Sequence, residues 1–311
     1  MRILLCWSVA LWVSLWGVPA AGDAVTSEAS PHARDSAPGT RHGLLYQVSQ
    51  ESNTVYLFGS IHAGKPEFYP LDDRTTLALA QSKRVYLEVD LADEQAVRTA
   101  TARMAMYPDS MTLDRAVSAS LQRKVLALLE RYNVPKSHAF KMKPWMLALT
   151  LLLMEAAHSG YDPALSTETY LIDYARTQHK DLRGLETIEE QLGIFDELTA
   201  DQQQAFLALT VAEIEDGRAM SELALMGRAW WDADGGGFEH VLSQMRADRA
   251  PIAGVLTPRL MDHRNRMMAR RIEDIVRSGP PSFIAIGSLH LVGAEGVVSL
   301  LRARGLVVRE L

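Results

Sequence analysis

The sequence predicts a mixed α/β domain: a central mixed sheet made from two β-α-β halves, split by a long helical insertion. Three observations carry that expectation. β-rich runs alternate with short helical segments over residues 43–90 and again near the end of the chain. Apolar residues recur at three- and four-residue spacing through most of residues 93–277. Two apolar runs, more than two hundred residues apart, end in the same pattern, "GSIH" at 59–62 and "GSLH" at 287–290.

Taken in order, "LLYQVSQESNTVYLFGSIH" is two β-rich runs divided by the turn-forming "ESN", which predicts a hairpin. "PLDDRTTLALAQSK" opens with acidic residues and predicts a short helix, and "RVYLEVD" a buried strand. These make a strand-helix-strand unit. Helical patterning then runs from about 93 to 175, as in "LQRKVLALLERY" and "PWMLALTLLLMEAA". "DLRGLET" predicts a short strand, and two further helical stretches, about 187–228 and 237–277, flank the glycine-rich "WDADGGG". The end repeats the opening: "PSFIAIGSLH" as a strand, "GAEGVVSLLRARG" as a helix stopped by Gly305, and "LVVREL" as a last strand. A sheet covered by helices is the packing that such an order favours.

Residues 1–22 have the layout of a secretory signal: one early Arg, an apolar stretch from Ile3 to about Val18, then small residues. Val18 and Ala20 suit the positions before a cleavage site, and the stretch is slightly short for a membrane span. Residues 23–42, rich in Ala, Ser, Pro and charge, read as a flexible spacer before a domain at 43–311. Export to the periplasm or medium follows, with no stable membrane insertion after cleavage. Cys6, the sole cysteine, lies inside the signal, so the mature chain has no disulfide, Cys-ligated zinc or cysteine nucleophile. A net charge of -6 argues against nucleic acid as a partner.

Ligands of open α/β sheets bind at the carboxyl ends of strands. His62 and His290 each stand where a predicted strand stops, and Glu88 ends "VYLEV". If those strands are neighbours, two imidazoles and a carboxylate converge, a set that suits a manganese-, cobalt- or zinc-class ion with open positions for water and substrate. Gly59 and Gly287 would let the backbone bend or a neighbouring strand approach closely. Arg264 and Asn265 are adjacent on a helix and on their own read as a solvated basic face. Glu186 ends a strand but also suits a helix N-terminus. Asp90 reads as a helix cap or supporting group. His138, His158, His179, His240 and His263 have no partner pattern, "DADGGG" lacks the later ligands of a calcium loop, and neither Gly-Ser-X-His is a serine-hydrolase elbow.

These pieces together resemble the TraB/GumN family, bacterial relatives of the TIKI metalloproteases. The likeness runs over nearly all of residues 43–311. It rests on "GSIH", "YLEVD", "KPW" at 143–145, "GLETIEEQL" at 184–192, "RN" at 264–265 and "GSLHLVGAEGVVSLLRARG". It implies a fold akin to the erythromycin esterase and ChaN-like proteins, with the helical middle as an elaboration. It also implies that His62, His290 and Glu88 form the active site of a divalent-metal-dependent peptidase. Arg264 and Asn265 match the family's Arg-Asn pair and join the candidates for catalysis, with Glu186 after them. The expected activity is hydrolysis of a peptide or small-molecule substrate, Glu88 serving as ligand or general base and Arg264 steadying developing charge. Two alternatives stay open: a metal-independent esterase-like hydrolase, and a non-catalytic periplasmic protein that binds a peptide, haem or metal.

Overall fold

The computed structural model describes residues 41–311, apart from Ser52. The expected signal, with Cys6, and all but the last two residues of the expected spacer lie outside the described residues. The opening hairpin is β1 (Leu45–Gln50) and β2 (Asn53–Ser60), antiparallel, with Glu51 in the left-handed region at φ 54°. A helix follows at Asp73–Gln81, its first turn capped by Asp72 accepting from the Thr75 N–H, and leads to β3 (Arg84–Val89).

The six strands, with β4 (Asp181–Glu186), β5 (Ser282–Gly287) and β6 (Val307–Glu310), form one mixed sheet in the order β4-β3-β5-β2-β1-β6. β4, β3, β5 and β2 run parallel; β1 is antiparallel to both of its neighbours. The two halves therefore interleave instead of lying side by side, because β5 from the chain's end slots between β2 and β3. Burial gives the reason. Every residue of β5 is buried, so it needs a covered face on both sides, whereas β4 and β6 both carry exposed residues and take the edges.

Between Glu94 and Ser278 the chain is built of helices and their connections, and β4, the short strand expected there, extends the same sheet. The largely apolar helix Pro144–His158 is buried nearly all round. Among the described residues no helix is long and apolar enough to cross a membrane. The helical stretch expected over 237–277 consists of several helices in succession. It begins within the glycine run at Gly235–Ala247, breaks before Pro251, and passes through a π-helical segment, Pro258–His263, into the helix Arg264–Ser278. Two prolines cause these breaks, since neither supplies the N–H a continuous helix requires. The π segment ends immediately before the Arg-Asn pair, where such bulges often serve a site.

His42, the last residue of the expected spacer, is buried. Its N–H donates to Asp72 at 2.8 Å and its ring stacks on Trp231 at 3.9 Å. Arg74 ties the same corner to the last residue by donating to the Leu311 carbonyl.

Candidate active site

The parallel strands β4, β3, β5 and β2 all end at one edge of the sheet, and each delivers a polar group there. Glu186 is the last residue of β4 and Glu88 the penultimate residue of β3; His290 follows β5, and His62 follows β2. The strands of the two Gly-Ser-X-His segments are direct neighbours, with Ser60 opposite Gly287 and Gly59 opposite Ile286. The repeat is thus offset by one residue across a parallel pair. This is why one chain carries the same turn twice: adjacent parallel strands bring both histidines to the same edge.

Close approach requires glycine in the first turn and leaves little room for a side chain in the second. A Cβ on Gly59 would lie 2.7 Å from Ser288 Oγ and 3.0 Å from a Leu291 methyl, in the second turn. The Ser288 hydroxyl donates to the Ser60 carbonyl at 3.0 Å, locking the turns together. A Cβ on Gly287 would lie 3.2 Å from Glu88 Oε1, 3.6 Å from His290 Cδ2 and 3.8 Å from His62 Nε2. The bare α-carbon of Gly287 is therefore the floor of a cradle lined by all three expected ligands.

Arg264, 2% exposed, is the centre of the second turn. Its Nε donates to both oxygens of Glu186 at 2.9 Å, and its Nη2 to Glu88 Oε2 at 2.8 Å and to Glu186 Oε2. Its Nη1 stands 2.9 Å from His290 Nε2. Asn265 donates through Nδ2 to the Glu295 carbonyl at 2.7 Å, which turns its Oδ1 to His290 Nδ1. Asn265 thereby places the His290 proton on Nδ1 and leaves Nε2 as an acceptor. Glu88 Oε1 accepts the Gly287 N–H at 2.6 Å.

His62 is held differently. Its Nδ1 lies 2.9 Å from Glu168 Oε1, both side chains being buried, and its Nε2 is buried with no hydrogen-bond partner among the described residues.

These surroundings drive the two histidines apart in acidity. Burial pulls His62 down, but the Glu168 carboxylate, with Glu88 beyond it, overrides this and lifts it to about 9. Burial and the Arg264 guanidinium both push His290 down, to about 3, against the pull of Glu88. For Glu88, burial favours the neutral acid, yet Arg264, both histidines and the Gly287 N–H hold its carboxyl near 2. Glu168 is likewise held below the usual carboxylate range by His62, against its burial.

All the candidates read from the sequence thus meet at this edge: Gly59, His62, Glu88, Glu186, Arg264, Asn265, Gly287 and His290. Asp90 does not join them; it accepts from the Ala92 N–H, closing a turn, and the following helix is capped by Asp93. Two residues were missed. Glu168 reads in the sequence as an ordinary first-turn acid, since Ser166 two positions earlier is a good N-cap. Gln191 reads as helix surface, but its Nε2 donates to Glu88 Oε2 at 3.1 Å and Glu186 Oε2 at 3.3 Å. The "KPW" segment braces Gln191's helix, Ile188–Asp196, through Lys143 Nζ donating to Asp196 Oδ1 at 2.5 Å and Trp145 stacking on Phe195.

The donor set suits a divalent cation. His62 Nε2 is an orphaned buried nitrogen, the Gly287 cradle admits it beside Glu88 and His290, and Asn265 keeps His290 Nε2 free of a proton. Arg264 pairs with two carboxylates, Glu88 and Glu186, while a third, Glu168, pairs with His62, which leaves negative charge to be balanced by a proton on His62 or by a metal. One adjustment is required, because Arg264 Nη1 engages His290 Nε2 in this arrangement. Among the described residues no three His, Cys, Asp or Glu side chains already stand as a ready-made metal site.

A sequence model of the TraB/PrgY/gumN family matches residues 44–310. The chain belongs to the TraB/PrgY/gumN family. Among the TraB/PrgY/gumN relatives, "Uncharacterized protein YbaP" of Escherichia coli (strain K12) is 25% identical over 271 residues, covering 85% of this chain and 89% of that protein. "Metalloprotease TIKI1" of Xenopus tropicalis is 24% identical, covering 85% of this chain and 60% of its own length. "Metalloprotease TIKI2" of Danio rerio is 23% identical, covering 80% and 57%. This chain thus spans less than two thirds of each of these two metalloproteases. No solved structure matches it.

Proposed function

We propose that this protein is an exported, divalent-metal-dependent hydrolase of peptide bonds, with its reaction centre at the Gly287 cradle. The observation that carries the reading is His62 Nε2: buried, without a hydrogen-bond partner among the described residues, and facing the cradle that Glu88 and His290 also line. Relatives named metalloproteases support peptide hydrolysis as the reaction class. The leader-like first residues support export, and the strand-edge site in a mixed sheet accords with the erythromycin esterase and ChaN-like likeness that the motifs imply.

In this proposal His62 Nε2, His290 Nε2 and Glu88 hold a manganese-, cobalt- or zinc-class ion. Such an ion, when bound, supplies Lewis-acid activation of water near neutral pH. Glu88 acts as ligand and fixed anion, its oxygens steadied by N–H donors of Gly287, Arg264 and Gln191. Arg264 reaches a substrate oxygen only by releasing one of its present partners; its standing role is to hold Glu88, Glu186 and His290 in place. Asn265 fixes the His290 tautomer, and Gln191 bridges the two glutamates.

The test is hydrolysis of a mixed peptide library by the purified protein before and after exhaustive chelation, with manganese, cobalt and zinc then added back singly. Activity lost on chelation and restored by one ion supports the reading. Activity that survives chelation contradicts the metal requirement.

The Arg264–His290 contact favours a second reading. In a metal-independent hydrolase Arg264 keeps its place on His290, and His62 alone presents a ring nitrogen to the substrate. Chelation-resistant hydrolysis that His62→Ala abolishes would support it.

A further inference from the structure

We infer that Glu168 is the positioning residue of the first turn: it fixes the His62 ring so that Nε2, and not Nδ1, faces the Gly287 cradle. The inference rests on the reading that His62 Nε2 is a working atom of the site.

Local structure delivers Glu168 to His62 through a built junction. Ser166 caps the helix Thr167–Thr177 by accepting the Thr169 N–H at 3.1 Å, so Glu168 lies in the first helical turn. Thr167 is fastened to the residue before His62 in both directions. Its N–H donates to the Ile61 carbonyl at 3.0 Å, and its Oγ1 accepts the Ile61 N–H at 2.9 Å. Two more bonds join Gly64 and Asp162, at 3.0 and 2.8 Å. Gly64 must be glycine here, because a Cβ would fall 2.0 Å from the Leu165 carbonyl oxygen. The segment 61–64 thus runs clamped along 162–167, and the clamp sets Glu168 beside His62 with 2.9 Å between Oε1 and Nδ1.

An acid in a first helical turn needs no burial to favour the helix dipole; it does so from solvent without losing hydration. Glu168 is 5% exposed, and a buried carboxylate is costly unless it is paired. Its charged partner is His62. The second turn has the same device in another chemistry, where Asn265 Oδ1 takes His290 Nδ1. Each histidine therefore has its Nδ1 set against a residue near the start of a helix in the insertion; His62 turns Nε2 to the cradle, while His290 lines it with Cδ2 and meets Arg264 through Nε2. A carboxylate or amide behind an imidazole orients the ring and sets its tautomer, and loss of such a partner typically lowers metal affinity about 10–100-fold.

The experiment compares wild type, Glu168→Gln, Glu168→Ala and His62→Ala. Zinc affinity is measured by competition titration, and the imidazole N–H protons are observed by NMR of protein labelled with 15N at histidine. Wild type should show a downfield, exchange-protected Nδ1 proton that His62→Ala lacks. Glu168→Ala should lose that proton and about 10–100-fold in zinc affinity, with Glu168→Gln between it and wild type because the amide oxygen still accepts. Glu168→Ala with wild-type affinity and an unchanged Nδ1 proton would overturn the inference. If wild type binds no zinc, manganese or cobalt, the metal-dependent reading fails and the Nδ1 proton decides alone. Its presence in wild type and loss in Glu168→Ala supports Glu168; its presence in both or absence from both overturns it. Should Glu168→Ala not fold, Glu168→Gln carries the same comparison, with a weakened and faster-exchanging proton expected and an unaltered one contradicting.

Discussion

The two Gly-Ser-X-His turns have nearly the same sequence and lie on adjacent strands, yet they are electrostatic opposites. The second turn is built around a guanidinium: Arg264 faces His290 and binds both Glu88 and Glu186. The first faces a carboxylate, Glu168. One imidazole is thereby held neutral far below its ordinary range, and the other is held protonated well above it. A repeated motif has not produced a repeated environment. The strands supply matching positions, and the helical insertion supplies the charges that differentiate them.

The largest expected effect lies at the centre of the second turn. Arg264→Ala leaves two buried carboxylates without their cation, and breaking such a pair costs about 3–5 kcal/mol; chemical denaturation should show that loss or a failure to fold. Arg264→Lys should recover only part of it, because an ammonium cannot make the fork that binds Glu186 through two nitrogens.

Proton release comes next and separates the histidines directly. At pH 7 a metal arriving at His62 must displace a proton, whereas His290 is already neutral. Titration calorimetry in buffers of different ionisation enthalpy should report about one proton released per metal. Zero would contradict the charged first turn, and two would contradict the neutral second.

The metal-free protein should be most stable near pH 6.5, the ordinary histidine value. His62 has a raised value, so its contribution is complete below 6.5 and is lost as the pH climbs through about 9. His290 has a lowered value: below 6.5 the unfolded chain takes up a proton that the folded one refuses, so stability falls towards about 3. Glu88 adds to the acid side, its contribution being present above 4.5 and lost as pH falls through about 2. Thermal melts across pH should show both limbs; His62→Ala should flatten the alkaline one, and His290→Ala the acid one.

The smallest effect concerns the cradle floor. Gly287→Ala puts a methyl 3.2 Å from Glu88 Oε1, an atom already fixed by the Gly287 N–H. Metal affinity should drop severalfold with little change in melting temperature, and unchanged affinity would mean that the ion does not sit at this cradle.

Much of this was legible in the sequence because it depends on local pattern. The hairpin, the β3 and β5 strands and the positions of His62, Glu88 and His290 at strand ends all follow from alternation, apolar runs and turn residues. Strand order was not legible. Nothing local to "SFIAIG" says that it will lie between β2 and β3; its complete burial says so, and burial is a property of the assembled sheet. Glu168 was invisible for a related reason: "STE" is a normal helix start, and its partner lies more than a hundred residues away. The breaks within the 237–277 helical stretch, by contrast, have a local cause in Pro251 and Pro258.

The measurement that tests the central claim most directly is metal stoichiometry of the purified protein after incubation with manganese, cobalt or zinc, beside His62→Ala and His290→Ala. If the two turns share one site, wild type holds about one ion per chain, as a single cradle requires, and each folded single variant holds almost none. An ion retained at full stoichiometry and affinity by either variant would mean that the two turns do not form one metal site.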